Sequence, residues 1–124
     1  MEIAVEVLDA ANAEAVAALG HLLPQLSVSC AGPTAQTLAR LLANPAVTVL
    51  VARAGDRIVG TATLVVLPLL SEIRARIEDV VVDQAYRGQG IGAALTTEAI
   101  RRAGEAGAAG VDLTTRPSRE AANQ

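Results

Sequence analysis

Three residues past the apolar run Val80, Val81, Val82, the chain reads Tyr86, Arg87, Gly88, Gln89, Gly90, Ile91, Gly92, Ala93, with glycine at every second position of the loop. A helix beginning at Gly90 leaves its first backbone N–H groups without intrahelical partners and turns them toward whatever lies beyond the strand end. Such a terminus favours an anion. Glycine at 88, 90 and 92 removes the Cβ atoms that would hold a pyrophosphate away from those amides, and it permits unusual backbone angles. Arg87 adds a fixed positive charge with a planar donor fork suited to phosphate oxygens. The chemistry implied is binding of a phosphate-bearing ligand.

A Walker loop requires lysine and a hydroxyl residue after its last glycine. Here Gly92 is followed by Ala93, Ala94 and Leu95, and all ten basic residues of the chain are arginine. The dinucleotide fingerprint is met literally by Gly88, Gly90 and Ala93, with Asp112 about 20 residues further on where a ribose-binding acid belongs. That fingerprint normally follows its strand almost at once and opens a long βαβαβ series. In this chain residues 83–87 intervene, and few residues follow Asp112.

The elements that would position the loop can be read from periodicity. Residues 1–8 alternate as a first strand. Asp9 or Asn12 caps a helix over 11–23, ended by Pro24, and Thr34 opens a second helix ended at Asn44 and Pro45. Strands at 47–53 and 57–67 are joined by a short turn at 54–56. A third strand over 71–83 alternates and then becomes continuously apolar, as a strand covered on both faces does. A helix over about 90–106, a strand at 110–115 and a last helix from Glu120 complete the chain. The predicted class is α/β (α+β): a mixed central sheet in the order β-α-α-β-β-β-α-β-α.

Composition narrows the partners. The chain has 124 residues, enough for one core, and a net charge of −3, which argues against nucleic acid. Tyr86 is the only aromatic residue, so no platform exists for stacking bases. Cys30 is the only cysteine, which leaves no internal disulfide and no cysteine metal cluster; no metal is expected. No apolar run approaches the roughly 18 residues of a membrane span, and no basic stretch precedes a hydrophobic one at the start. The expected location is therefore the cytoplasm, without membrane association. The Ala, Arg, Gly and Val bias reads as the codon usage of a GC-rich bacterial genome.

Residues 80–92 resemble the acetyl-CoA signature of the GNAT family of N-acetyltransferases: Arg or Gln, two residues, Gly, one residue, then Gly or Ala, matched by Arg87, Gly90 and Gly92. The flanking strand, the following helix, the strand at 111–115 and the segment 118–123 also fall in family order. The resemblance covers nearly everything from residue 47 onward. It implies a single domain over 1–124 with its phosphate-loop core at 77–106. It also implies acetyl-CoA as acetyl donor, no metal, and direct attack by a primary amine of a small-molecule acceptor.

On that resemblance, backbone groups of Val80 and Val82, flanking Val81, bond the pantetheine amides as an added strand. The pyrophosphate sits on the amides of residues 87–93, including Gln89 and Ile91. Asn123 contacts the cofactor. A backbone N–H of the fourth strand, freed by a bulge, stabilises the oxyanion. Glu78 is the candidate base that removes the amine's proton. Strict alternation places Glu78, Val80 and Val82 on one face and Asp79 and Val81 on the other unless a bulge intervenes. The competing reading of Glu78 is an ion pair with Arg76 on the same face. His21, near the end of the first helix, reads as a favourable C-terminal interaction, and Tyr86 as packing beside the loop.

The family usually continues beyond the position of Asn123 through a helix carrying Leu-Tyr, a Gly-Phe turn and two closing strands. The chain ends at Gln124, which puts in doubt the tyrosine that commonly protonates the leaving thiolate. The resulting expectation is a bare apolar edge on the strand at 110–115. Such an edge predicts a homodimer or higher oligomer through that strand and the last helix, or a truncated chain of impaired stability. A light-scattering mass of a single chain counts against pairing. The alternative function is a non-catalytic acyl-CoA-binding or oligomerising module, distinguished by cofactor binding without turnover on any amine.

Overall fold

The computed structural model describes residues 2–113. In chain order these form β1 (Ile3–Val7), α1 (Ala13–Leu26), α2 (Ala35–Leu42), β2 (Val47–Ala54), β3 (Arg57–Pro68), β4 (Ile73–Val82), α3 (Ile91–Glu105) and β5 (Gly110–Leu113), with a single 3-10 turn at Gln84–Tyr86. The expected order holds through β5, and the sheet runs β1-β2-β3-β4-β5. Neighbours are antiparallel except β4 and β5, which are parallel and joined by α3 as the crossover. The last expected helix lies outside the described residues.

Both faces of the sheet are covered, which is why β2 reads as an almost unbroken apolar run. On one face Leu50, Leu64, Ile77 and Val80 pack with Ile91, Leu95 and Ala99 of α3. On the other, Val49, Val51 and Val81 pack with Leu19, Leu22 and Leu26 of α1 and Leu38 of α2. Leu50 is wholly buried at the centre of this arrangement. Leu50→Ala is expected to cost about 2–5 kcal/mol of unfolding free energy, read by chemical denaturation.

Helix α1 starts where expected, with the Asn12 Oδ1 accepting from the Ala15 N–H at 2.9 Å. It runs past Pro24 to Leu26. Pro24 and Gly20 are both exposed, so the hydrogen bond that proline cannot donate is lost on the solvent side. Leu26, buried at 2% exposure, carries the apolar face one turn further. Helix α3 is stapled along its outer face by Arg101 to Glu98 (2.6 Å) and Glu105 (2.6 Å), and by Arg102 to Glu98 (2.8 Å). Arg101, with Arg102, outweighs partial burial and lowers the Glu98 carboxyl from 4.5 to about 2. A depressed folded-state value stabilises above the unfolded value and is lost as pH falls. Thermal midpoints between pH 5 and pH 2 are therefore expected to fall more steeply for the native chain than for Glu98→Gln.

Strand β4 departs from simple alternation. Thr61 pairs with Val81 and Thr63 with Glu78, so Ala62 faces two residues, Asp79 and Val80, without a one-to-one partner. Asp79 takes φ 54°, the left-handed region that Asp tolerates better than most residues. This bulge is the exception that strict alternation left open, and it moves Glu78 off the face of Val80 and Val82. Val80 follows Ile77 into the α3 side, while Val81 packs on the α1 side. By the same pleat Glu78 shares the α1 side with Val81, separated from Val80 and Val82.

Candidate functional site

A cavity of about 590 Å³ opens where β4, the loop after it and the start of α3 converge. Val80, Val81 and Val82 form its strand wall; Arg87, Gly88 and Gly90 form the loop; Ile91, Gly92 and Ala93 form the helix end. Gln25 of α1, Tyr86, Thr96 and Leu113 complete the lining. Among the expected cofactor residues, Gln89 is exposed and does not line the cavity. Asn123 lies outside the described residues.

The loop conformation follows from its glycines. Gly88 (φ 83°) and Gly90 (φ 81°) occupy left-handed backbone that a side chain disfavours. Gly92 plays a different part, because it lies within the first turn of α3, where a Cβ would meet Val82 Cγ2 at 3.6 Å. Gly90 supplies no side-chain cap. The first helical bond runs from the Ala94 N–H to the Gly90 carbonyl at 3.0 Å. Among the described residues, the backbone N–H groups of residues 88–93 have no acceptor within the protein. They form a run of donors beside the cavity, at the positive end of a 15-residue helix.

The edge of β4 is the second wall. The Asp83 N–H donates to the Val59 carbonyl at 2.8 Å. Antiparallel ladders alternate, so Val82, one residue earlier, directs its own N–H and C=O away from β3 and toward the cavity side. The Val82 carbonyl accepts from Arg87 Nε at 3.2 Å. That bond ties the guanidinium to the end of β4 in the cavity lining, and among the described residues no carboxylate pairs with Arg87. The described pairing of β4 with β5 runs from Arg74↔Gly110 to Ile77↔Leu113, ending just before the bulge.

Glu78 stands apart from this lining. Its Oε2 lies 2.9 Å from Arg76 Nη2, with the carboxylate side chain 29% exposed, so the ion-pair reading of this residue is realised. His21 is tied to a carboxylate rather than to its own helix end: its Nε2 is 3.3 Å from Asp83 Oδ2. Sequence reasoning missed Gln25, whose Oε1 accepts from the Gln84 N–H at 2.8 Å. No local signal marks it, because its partner is 59 residues away and periodicity ended the helix at Pro24. Tyr86 does pack beside the loop, against the α3-side core. Among the described residues, no group of three or more His, Cys, Asp or Glu side chains is placed to hold a metal ion. No helix among them is long and apolar enough to cross a membrane.

These features can be set beside known proteins. A search of curated protein sequences gave no match. Among solved structures, a transcriptional regulator from Bacillus halodurans C-125 superposes with a TM-score of 0.85 at 26% identity, covering 98% of this chain and 87% of that one. An aminoglycoside acetyltransferase from an uncultured soil metagenomic sample, in complex with sisomicin, gives a TM-score of 0.81 at 27% identity, covering 97% and 82%. A ribosomal-protein-alanine N-acetyltransferase from Brucella melitensis biovar Abortus 2308 shares the fold at 21% identity, with a TM-score of 0.80 and coverage of 97% and 84%. The sequence model of the Acetyltransferase (GNAT) family matches residues 12–124. With the mixed sheet, the glycine loop and the amide run at the head of α3, this match covers most of the chain: it belongs to the GNAT acetyltransferase family.

Proposed function

We propose that this protein transfers an acetyl group from acetyl-CoA to a primary amine of a small-molecule acceptor by direct attack. The observation that carries the reading is the run of amides at residues 88–93, beside Arg87 and facing the same cavity as the β4 edge. A diphosphate suits this donor set: successive N–H groups, a planar cation, and no Cβ at 88, 90 or 92 to hold it off. Val82 offers a backbone N–H and C=O toward the cavity for the amides of pantetheine.

Acetyl-CoA supplies the activated thioester. The bulge takes Asp79 and Val80 out of register with β3, and a backbone amide there would receive negative charge developing on the acyl oxygen. Glu78, on the strand just before the bulge, would accept the proton of the attacking amine once the acceptor displaces Arg76 from it, as the N–C bond forms, the C–S bond breaks and CoA leaves as a thiolate that takes its proton from water. The aminoglycoside acetyltransferase relative supports an amine acceptor.

The test is thiol release from acetyl-CoA over a panel of aminoglycosides, amino sugars, small polyamines and peptide amines. Release that depends on both acetyl-CoA and one class of amine supports transfer. Saturable acetyl-CoA binding with no release on any amine would establish instead the non-catalytic acyl-CoA-binding module, a reading favoured by the engagement of Glu78 with Arg76.

A further inference from the structure

We infer that His21 and Gln25, on the last two turns of α1, are positioning residues that fix the phosphate loop from outside it; this rests on the acetyl-CoA reading above. The loop leaves β4 through Asp83 and the 3-10 turn at Gln84–Tyr86. The first N–H groups of such a turn need acceptors from elsewhere. Side chains supply both. The Gln84 N–H donates to Gln25 Oε1 at 2.8 Å, and the Ala85 N–H donates to Asp83 Oδ1 at 3.2 Å.

Each of these acceptors is itself held by α1. Gln25 Nε2 donates to the His21 carbonyl at 3.2 Å, which fixes the amide at both ends. Asp83 Oδ2 lies 3.3 Å from His21 Nε2, and the Asp83 side chain is only 8% exposed. The turn then closes from the Tyr86 N–H to the Asp83 carbonyl at 2.8 Å, and Arg87 Nε reaches the Val82 carbonyl. The chain is therefore pinned up to Arg87, immediately before Gly88 and Gly90, whose own side chains can pin nothing.

The polar tie is separable from the packing of α1. Leu19, Leu22 and Leu26 seat the helix in the core, whereas the His21 side chain is 60% exposed. Removing the His21 imidazole thus costs little burial. His21 lies outside the lining of the cavity and acts on a ligand there only through Asp83 and the turn, whereas Gln25 lines it, so His21→Ala is the variant whose affinity reads positioning alone.

The experiment compares the native chain with His21→Ala, Gln25→Ala and the double variant. Three quantities are read: calorimetric affinity for acetyl-CoA, the thermal midpoint, and the ¹H–¹⁵N shifts of the residue 84–92 amides in ligand-free protein. Each single variant is expected to bind acetyl-CoA about threefold to tenfold more weakly, the worth of one hydrogen bond, with its midpoint nearly unchanged. The amides of residues 84–92 should shift while those of residues 99–105 stay in place. Native affinity in the double variant, or loop amides that do not move, overturns the inference. A lowered midpoint with unchanged affinity reduces both residues to a stabilising role and also overturns it. Failure of the native chain itself to bind acetyl-CoA would sink the donor reading instead, and the amide shifts would still decide whether α1 holds the loop.

Discussion

Gly90→Glu is expected to abolish measurable acetyl-CoA binding, with affinity falling at least about 100-fold, because it changes two things at one atom of the site. Gly90 sits at φ 81°, where an L side chain carries backbone strain of roughly 1–3 kcal/mol. A Cβ there meets no protein atom within 4 Å, so the chain can fold around the new residue. The added carboxylate would stand beside the unbonded amides of residues 88–93 and repel a phosphate from them. Gly90→Ala separates the two effects. It is expected to lower stability by about 1–2 kcal/mol while retaining saturable binding. Equal affinity for Gly90→Ala and Gly90→Glu would show that strain alone controls the loop.

The second large effect is expected at Glu78. If it takes the proton from the attacking amine, Glu78→Gln should lower kcat by about 100-fold or more. The KM for acetyl-CoA should stay unchanged, since Glu78 does not line the cavity. The bulge at Asp79 makes this arrangement possible, because it leaves Glu78 on the α1 side while Val80 turns toward α3. If Glu78 serves only the ion pair with Arg76, the variant keeps its kcat and loses little stability. The two side chains are 47% and 29% exposed, and exposed pairs contribute about 0–1 kcal/mol. A pH profile of thiol release separates the cases, since only the first removes a titrating base from the rate.

The parts of this protein governed by local pattern were legible in its residues. The glycine spacing at 88, 90 and 92 located both the loop and the start of α3 within one residue, because the left-handed backbone at Gly88 and Gly90 favours glycine whatever the rest of the fold. The short turn between β2 and β3 and the capping residues Asn12 and Thr34 are equally local, and each stands where expected. The bulge is another matter. Asp79 carries no mark that distinguishes it from an ordinary strand residue, and its conformation is set by pairing with β3. The family resemblance placed a bulge in this strand, and the reading of the faces left room for one, but nothing local to the residues said that it falls at Asp79 and so parts Glu78 from Val80 and Val82.

Tertiary compensation explains the remaining differences. Pro24 ended α1 in the periodic reading, but the burial of Leu26 outweighs one hydrogen bond lost at the surface. Gln25 and Asp83 became site residues only when the fold brought α1 against the end of β4. Their contacts with Gln84 and His21 span 59 and 62 positions of sequence, beyond any periodic signal.

Titration of acetyl-CoA into the purified 124-residue chain by calorimetry, with NAD as the control ligand, tests most directly whether the loop at residues 87–93 is a site for the acetyl donor. Saturable heat with acetyl-CoA and none with NAD is the expected result. No binding of acetyl-CoA, or NAD binding as tightly, would contradict it.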